Sequence, residues 1–230
     1  MSASRKLIIA IDGPAGSGKS TIAARLARTL GYVNLESGAM YRALALKAME
    51  QQVPLDDGEA LRQLALSSTM ELEPAGEGNR VLLDGSDVSQ RIREADVTAA
   101  ASRVSVHPPV RQVMVARQRE LGASGGVVME GRDIGTAVFP NADVKIFLDA
   151  DPGVRAGRRV LQNGTKSAEE AERIEAEIAA RDERDRRRST SPLLPAADAV
   201  IVDTTHKGID EVVAEVSSLV TQRLAASGRS

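Results

Sequence analysis

Gly13–Ser20 reads GPAGSGKS, a fit to G-x-x-x-x-G-K-[ST], placed between the apolar run LIIAI and a helical pattern beginning at Lys19. This constrains the fold more than any total, because the pattern works only where a strand hands over to a helix. Glycines let backbone N–H groups turn inward around phosphate oxygens, and the N-terminus of the following helix adds a favourable dipole. Gly13, Pro14, Ala15, Gly16, Ser17, Gly18, Lys19, Ser20 and Thr21 are the expected ATP-binding residues, with Lys19 reaching the outer phosphates and the Ser20 hydroxyl ligating Mg²⁺. A Gly-rich turn that merely caps a helix is the alternative, and the strand and helix on either side argue against it.

Short apolar runs alternate with helical patterns, which points to an α/β fold with a parallel sheet. The expected strands are KLIIAI (6–11), YVNLE (32–36), GVVME (126–130), VKIFL (144–148) and AVIVD (199–203). Expected helices run from Lys19 towards Leu30, from Ala39 towards Gln51, and from Pro108–Pro109 to near Gly122, with proline at the start and glycine at the end. Val110, Val113, Met114 and Leu121 form one stripe on the third helix, marking that face as core. One region breaks the alternation. TMELEPAGEGNRVLLDG (69–85) places apolar residues at period two, Met70 and Leu72, then Val81 and Leu83, with a Gly- and Asn-bearing loop between the halves, as in a hairpin. Residues 62–95 are thus expected to form a small antiparallel excursion from a main body of 1–61 and 96–230. The tail LAASGRS is expected to fray.

With 230 residues, 42% hydrophobic and 27% charged, the chain can bury a real core. A formal net charge of −2 offers no global field for nucleic acid or an anionic membrane, so anion binding must come from local arrangement. The absence of cysteine excludes disulfides and thiolate metal sites and fits a reducing cytoplasm. His107 and His206 show no metal-ligand spacing. The only apolar run before Asp12, LIIAI, is too short for a signal peptide or membrane span. Four aromatics, Tyr32, Tyr41, Phe139 and Phe147, equip a single-strand binder poorly. No N-K-x-D guanine signature is found. VKIFLD ends in Asp149, an acid at a strand end; a phosphate-loop metal-side acid and a simple helix cap produce the same pattern, and both stay open.

A second set of anion-binding groups follows the later strands. In LESGAMYR (35–42) Ser37 is either an N-cap or, with the helix N–H groups and Arg42, part of an anion site beside Tyr41. EGRDIG (130–135) puts Arg132 and Asp133 at another strand end, on the side where an open α/β sheet holds its ligands. RDERDRRR (181–188) packs five arginines and three acids into eight positions. The i, i+4 pairs Glu177–Arg181, Asp182–Arg186 and Glu183–Arg187 suit a solvated helix face. Arg181, Arg184 and Arg188, with Asp185 beside them, suit contact with phosphate or sugar, and the phosphate loop elsewhere favours that reading. RAGRR (155–159) adds Arg155, Arg158 and Arg159, so that about 155–190 reads as an arginine-rich helical lid.

GPAGSGKST, LESGAMYR, MEGRDIGT, VKIFLDA and RDERDRRR…PLLPAADA, in this order and spacing, resemble the bacterial cytidylate kinases, from about Lys6 to Arg223. The resemblance implies a P-loop NTPase three-layer sandwich with a five-stranded parallel sheet, a small antiparallel NMP-binding insert and a helical lid. It implies a cytoplasmic monomer that makes CDP from CMP with ATP and Mg²⁺, accepts dCMP, and uses UMP poorly, without nucleic-acid or membrane partners. Carried over motif by motif, Ser37, Arg42 and Arg132 would hold the acceptor phosphate, with Tyr41 beside them. Ser102, Arg111 and Asp133 would read cytosine, Arg181 and Asp185 the ribose, and Arg188 would bridge to the phosphates. Lys19, Arg132, Arg184 and Arg188 form the expected catalytic set, and Arg155 and Arg158 join the ATP side. The cytosine N4 amino group suits an Asp and a Ser as acceptors while an Arg donates to the ring; uracil would set a carbonyl against that carboxylate. Glu36 stands where relatives often carry Asp, and Glu130 receives no role.

The acceptor is already an anion, so attack on the γ-phosphorus needs no strong base; alignment and charge neutralisation carry the rate. Rival readings are a P-loop kinase with a hydroxyl acceptor, such as a shikimate-type kinase, which needs an acid placed as base (Asp12 and Asp133 are open to being misread as one), a nucleic-acid-binding ATPase, and a nucleotide-gated module without turnover. DTTHKG (203–208) is the expected adenine loop.

Overall fold

The computed structural model describes residues 6–75, 78–164 and 167–227. In chain order its elements are β1 (Ile8–Asp12), α1 (Lys19–Leu30), β2 (Val33–Glu36), α2 (Ser37–Glu50), α3 (Gly58–Leu66), β3 (Met70–Ala75), β4 (Gly78–Leu83), β5 (Ser86–Asp87), α4 (Ala95–Val104), α5 (Pro108–Gly122), β6 (Val127–Gly131), β7 (Val144–Asp149), α6 (Pro152–Asn163), α7 (Ala168–Arg187), β8 (Val200–Asp203) and α8 (Ile209–Ser227). A 3₁₀ turn at Arg91–Arg93 and a π-turn at Ile134–Val138 complete them.

Five parallel strands lie in the order β2-β6-β1-β7-β8. The period-two geometry of β1 divides its side chains between two layers. Leu7, Ile9 and Ile11 pack with Ile22 and Leu26 of α1 and Val212 and Val216 of α8. Ala10 goes to the other face, with Leu35, Met129 and Ile134. The result is the expected three-layer α/β sandwich. All five strands were anticipated, with ends displaced by at most two residues.

The expected hairpin forms, with Met70 opposite Leu83 and Leu72 opposite Val81. Its loop at residues 76–77 lies outside the described residues. A third short strand, β5, follows through Asp84 (φ 50°) and Gly85 (φ 80°), the left-handed pair that a two-residue turn demands. Val81 and Leu83 are buried in one cluster with Leu44 of α2, Leu61 of α3, Val97 of α4 and Met114 of α5.

Several expectations are corrected. The second helix begins at Ser37, not Ala39, so Ser37 is its first residue and Glu36 occupies the cap position. On α5, Val110 and Met114 are buried, but Leu121 is exposed, the last turn being buried through Gly122 against Phe139 instead. Leu224–Ser227 continue α8, with Leu224 against the core, while 228–230 lie outside the described residues. Helices α3, α4 and α8 were not anticipated. Asp57 caps α3 by accepting from Glu59 N (3.1 Å) and Ala60 N (3.0 Å). Among the described residues no helix is long and apolar enough to cross a membrane.

Candidate active site

The C-terminal ends of β2, β6 and β1 are neighbours in the sheet, so Ser37, Arg132–Asp133 and the phosphate loop open on one edge. The loop's glycines follow from geometry. Gly13 (φ 149°) runs against the Leu148 carbonyl, where no Cβ fits, and Gly18 (φ 93°) supplies the left-handed entry to α1. Lys19 arches back over the loop, its Nζ donating to Pro14 O at 2.6 Å. Burial, then the nearby Arg132 guanidinium, pull the Lys19 ammonium down to about 7.

Ser20 Oγ donates to Glu130 Oε1 at 2.8 Å. Glu130 is opposite Glu36 in the β2–β6 register; Glu130 is buried and Glu36 half-buried. Burial pushes the Glu130 carboxyl up, and Glu36 adds to the rise. Burial works against Glu36 as well, but Arg42, at 2.6 Å, and Arg93 outweigh it and hold its carboxyl below the usual range. Two carboxylates and a hydroxyl beside the lysine form a hard oxygen donor set of the kind Mg²⁺ takes alongside phosphates. Sequence reasoning left Glu130 without a role; its signal was an acid at the end of an otherwise apolar strand. The cap of α6 is Asp151, which accepts from Gly153 N (2.8 Å) and Val154 N (3.3 Å), so Asp149 is not the helix cap; its Oδ1 accepts from the adjacent Ala150 N at 2.9 Å.

On the acceptor side, Ser37 Oγ donates to the Glu130 carbonyl at 2.8 Å, tying the start of α2 to β6. Gly131 is required there, since a Cβ would lie 2.5 Å from that hydroxyl. Arg111 forms a buried ion pair with Asp133 and lies over the Tyr41 ring, 5.7 Å from its centroid. Arg184 of α7 reaches Ser102 of α4, Nε to Oγ 3.1 Å. Arg132 Nε donates to Asp185 Oδ2 at 3.0 Å. Arg188 lies one residue past the end of α7 rather than on its helical face, with Nε on the Asp185 carbonyl at 3.2 Å. Burial and then Arg132 pull Arg181 down to about 10.

These groups share a further property. Arg42 Nε, Arg111 Nε, Arg181 Nε, Arg188 Nη2 and the Tyr41 hydroxyl are shielded from solvent and have no hydrogen-bond partner. Leaving a buried charged donor unpaired costs stability, and so many on one edge mark a place built for an anion with further polar groups.

The lid arginines divide. Of the expected i, i+4 pairs, Glu183–Arg187 forms on the surface. Asp182 instead turns inward to a buried ion pair with Arg155. Arg155 donates also to Ala150 O and Ala15 O, both at 3.0 Å. Arg158 grips Thr204, Nη1 to Oγ1 3.0 Å and Nη2 to O 2.6 Å, joining the lid to the 203–208 loop. Arg159 donates to Gln162 of its own helix at 3.0 Å. Asp12, at the end of β1, accepts from Ile134 N and Gly135 N, both at 2.7 Å, and so fixes the turn after Asp133. Burial raises its carboxyl to about 6. Neither Asp12 nor Asp182 had been given this role from the sequence.

A family profile described as cytidylate kinase matches residues 9–222. The cytidylate kinase of Enterococcus faecalis is 49% identical over 219 residues, covering 95% of this chain and 97% of that protein. The cytidylate kinase of Geobacillus kaustophilus is 48% identical over 221 residues, covering 96% and 99%. Among solved structures, an uncharacterized protein from Eubacterium ventriosum covers 94% of this chain and 99% of its own at a TM-score of 0.50 and 11% identity, a likeness of fold alone.

Proposed function

The chain belongs to the cytidylate kinase family, nucleoside monophosphate kinases that phosphorylate CMP and dCMP, and we propose that it holds ATP and CMP end to end over the β2, β6 and β1 strand ends. The carrying observation is the set of unpartnered, buried guanidinium donors on that edge. Ser37, Arg42 and Arg132 hold the CMP phosphate beside Tyr41. Asp133 and Ser102 accept from the cytosine N4 amino group while Arg111 donates to the ring. Arg181 and Asp185 take the ribose. The phosphate loop, Gly13–Thr21, cradles ATP, and the 203–208 loop borders its adenine. In this reading residues 62–95 border the monophosphate, their hairpin packed against α2, α4 and α5.

The attacking CMP oxygen carries its own negative charge, so no side chain is assigned as base. Lys19 unfolds from Pro14 O onto the outer phosphates, and Arg132, Arg184 and Arg188 surround the transferring group. Ser20, Glu130 and Glu36 would hold Mg²⁺, which when bound would supply neutralisation of phosphate charge. We extend the reading to a monomer acting in the cytoplasm on small nucleotides. The net charge of −2 supports that reading over one in which the arginine run binds nucleic acid.

ADP formation measured with CMP, dCMP, UMP, AMP and shikimate in turn, with ATP and Mg²⁺, tests this. CMP and dCMP should drive turnover and UMP should do so weakly. Turnover on shikimate, or none on CMP, would overturn it.

A further inference from the structure

The lid has an apolar cluster of its own, Ala156, Ile174 and Ile178, with Val160 and a residue from the phosphate loop, Ala15, packed against it. The same residue is bonded to the lid through both of its backbone groups. Ala15 N donates to Asp182 Oδ1 at 3.2 Å, and Ala15 O accepts from Arg155 Nη1 at 3.0 Å. Arg155 and Asp182, 2% exposed each, pair with one another beneath it. Gly16 completes the fit, because a Cβ there would lie 2.8 Å from the Arg155 carbonyl. One loop residue is therefore held by methyl packing, by an acceptor and by a donor, all from α6 and α7.

A buried ion pair is a poor source of net stability, since desolvation offsets the attraction; its best-attested use is to fix register. Here the register is that of α7 against the loop that cradles ATP. Asp182 lies on the loop side of α7, while Arg181 and Asp185, its neighbours along the same helix, join Arg188 on the acceptor side. We propose that Arg155 and Asp182 are positioning residues that seat the lid on Ala15, so that the groups facing CMP are placed relative to the ATP phosphates by one rigid helix. The catalytic half of this assignment rests on the kinase reading above; the docking half does not. Arg155, whose sequence pattern suggested a phosphate contact, thus acts through the loop rather than on the nucleotide.

The test uses Asp182→Asn, which keeps an acceptor for Ala15 N but removes the charge, Arg155→Met, and the two combined. Misplaced catalytic groups lose rate steeply, so each single variant should lose about 100-fold in kcat with CMP. The double variant restores neutrality and should be no worse than the poorer single, whereas independent sites would multiply their losses. In the nucleotide-free protein, amide exchange of each single variant should quicken about tenfold or more in α6, α7 and residues 15–17 while β1, β6 and β7 stay protected. Singles within about twofold of the parent in kcat, multiplied losses in the double, or exchange quickened equally in lid and sheet would each overturn the proposal. The exchange arm needs no substrate, so it stands if the CMP reading fails, and the two failures separate.

Discussion

The proposed active edge has an ATP half and a CMP half, and the two are made of different material. The ATP half is backbone: one continuous segment, Gly13–Ser20, whose shape comes from left-handed glycines and whose lysine is already satisfied by Pro14 O. The CMP half is side chain, drawn from α2, α4, α5, the end of β6 and α7, with several of its donors unpartnered. A backbone cradle binds any polyphosphate and chooses little. A convergent set of guanidiniums and carboxylates can choose a base, but only when distant segments fold together. In the proposed reading, generic affinity therefore belongs to the loop that follows β1 and selectivity to the groups around the ends of β2 and β6.

The largest effect that would break this division is Arg188→Ala. Removing one positive contact to the transferring group should lower kcat about 10³-fold, while ATP affinity, resting on the loop, stays close to the parent's. Single-turnover and ATP-binding measurements together check it. Near-normal turnover would remove Arg188 from the chemistry.

Asp133→Asn should act on choice more than on speed. The preference for CMP over UMP in kcat/KM should shrink about 100-fold, because the carboxylate that repels the uracil carbonyl is gone. Competition between the two substrates reads this directly.

The loop side has its own signature in pH. Lys19 sits at about 7 when it lacks phosphates, and ATP should restore it to the charged form. The sign follows: binding takes up a proton, and ATP affinity should fall by up to about tenfold per pH unit above 7. Calorimetry in two buffers of different ionisation enthalpy measures the uptake, which Lys19→Met should abolish. The smallest expected effect lies outside both halves. Asp57→Ala removes the α3 cap and should cost about 1 kcal/mol of stability with kcat unchanged, as denaturant unfolding and assay will show.

The same difference governs what was legible in the sequence. The phosphate loop was readable because its function is local; eight consecutive residues contain the whole geometry. Strands were readable from apolar runs, and the hairpin from its period of two. On the acceptor side, the pairing of Arg111 with Asp133 and of Ser102 with Arg184 depends on chain return over tens of residues, which no local pattern contains. Glu130 was missed for a topological reason. Both β6 and β7 flank β1 and both carry an acid at or next to their last residue, Glu130 and Asp149, and only the spatial order and the Ser20 hydroxyl show which acid faces the loop. Asp182 was misread because the i, i+4 rule describes exposed helices, whereas this residue is buried against Arg155.

A crystal structure with CMP and a non-hydrolysable ATP analogue tests the central claim most directly. The account predicts cytosine N4 within hydrogen-bonding reach of Asp133 and Ser102, the CMP phosphate held by Ser37, Arg42 and Arg132, and its oxygen in line with the γ-phosphorus above Lys19. CMP bound away from the β6 end, or a phosphate facing neither Arg132 nor Arg188, would contradict it.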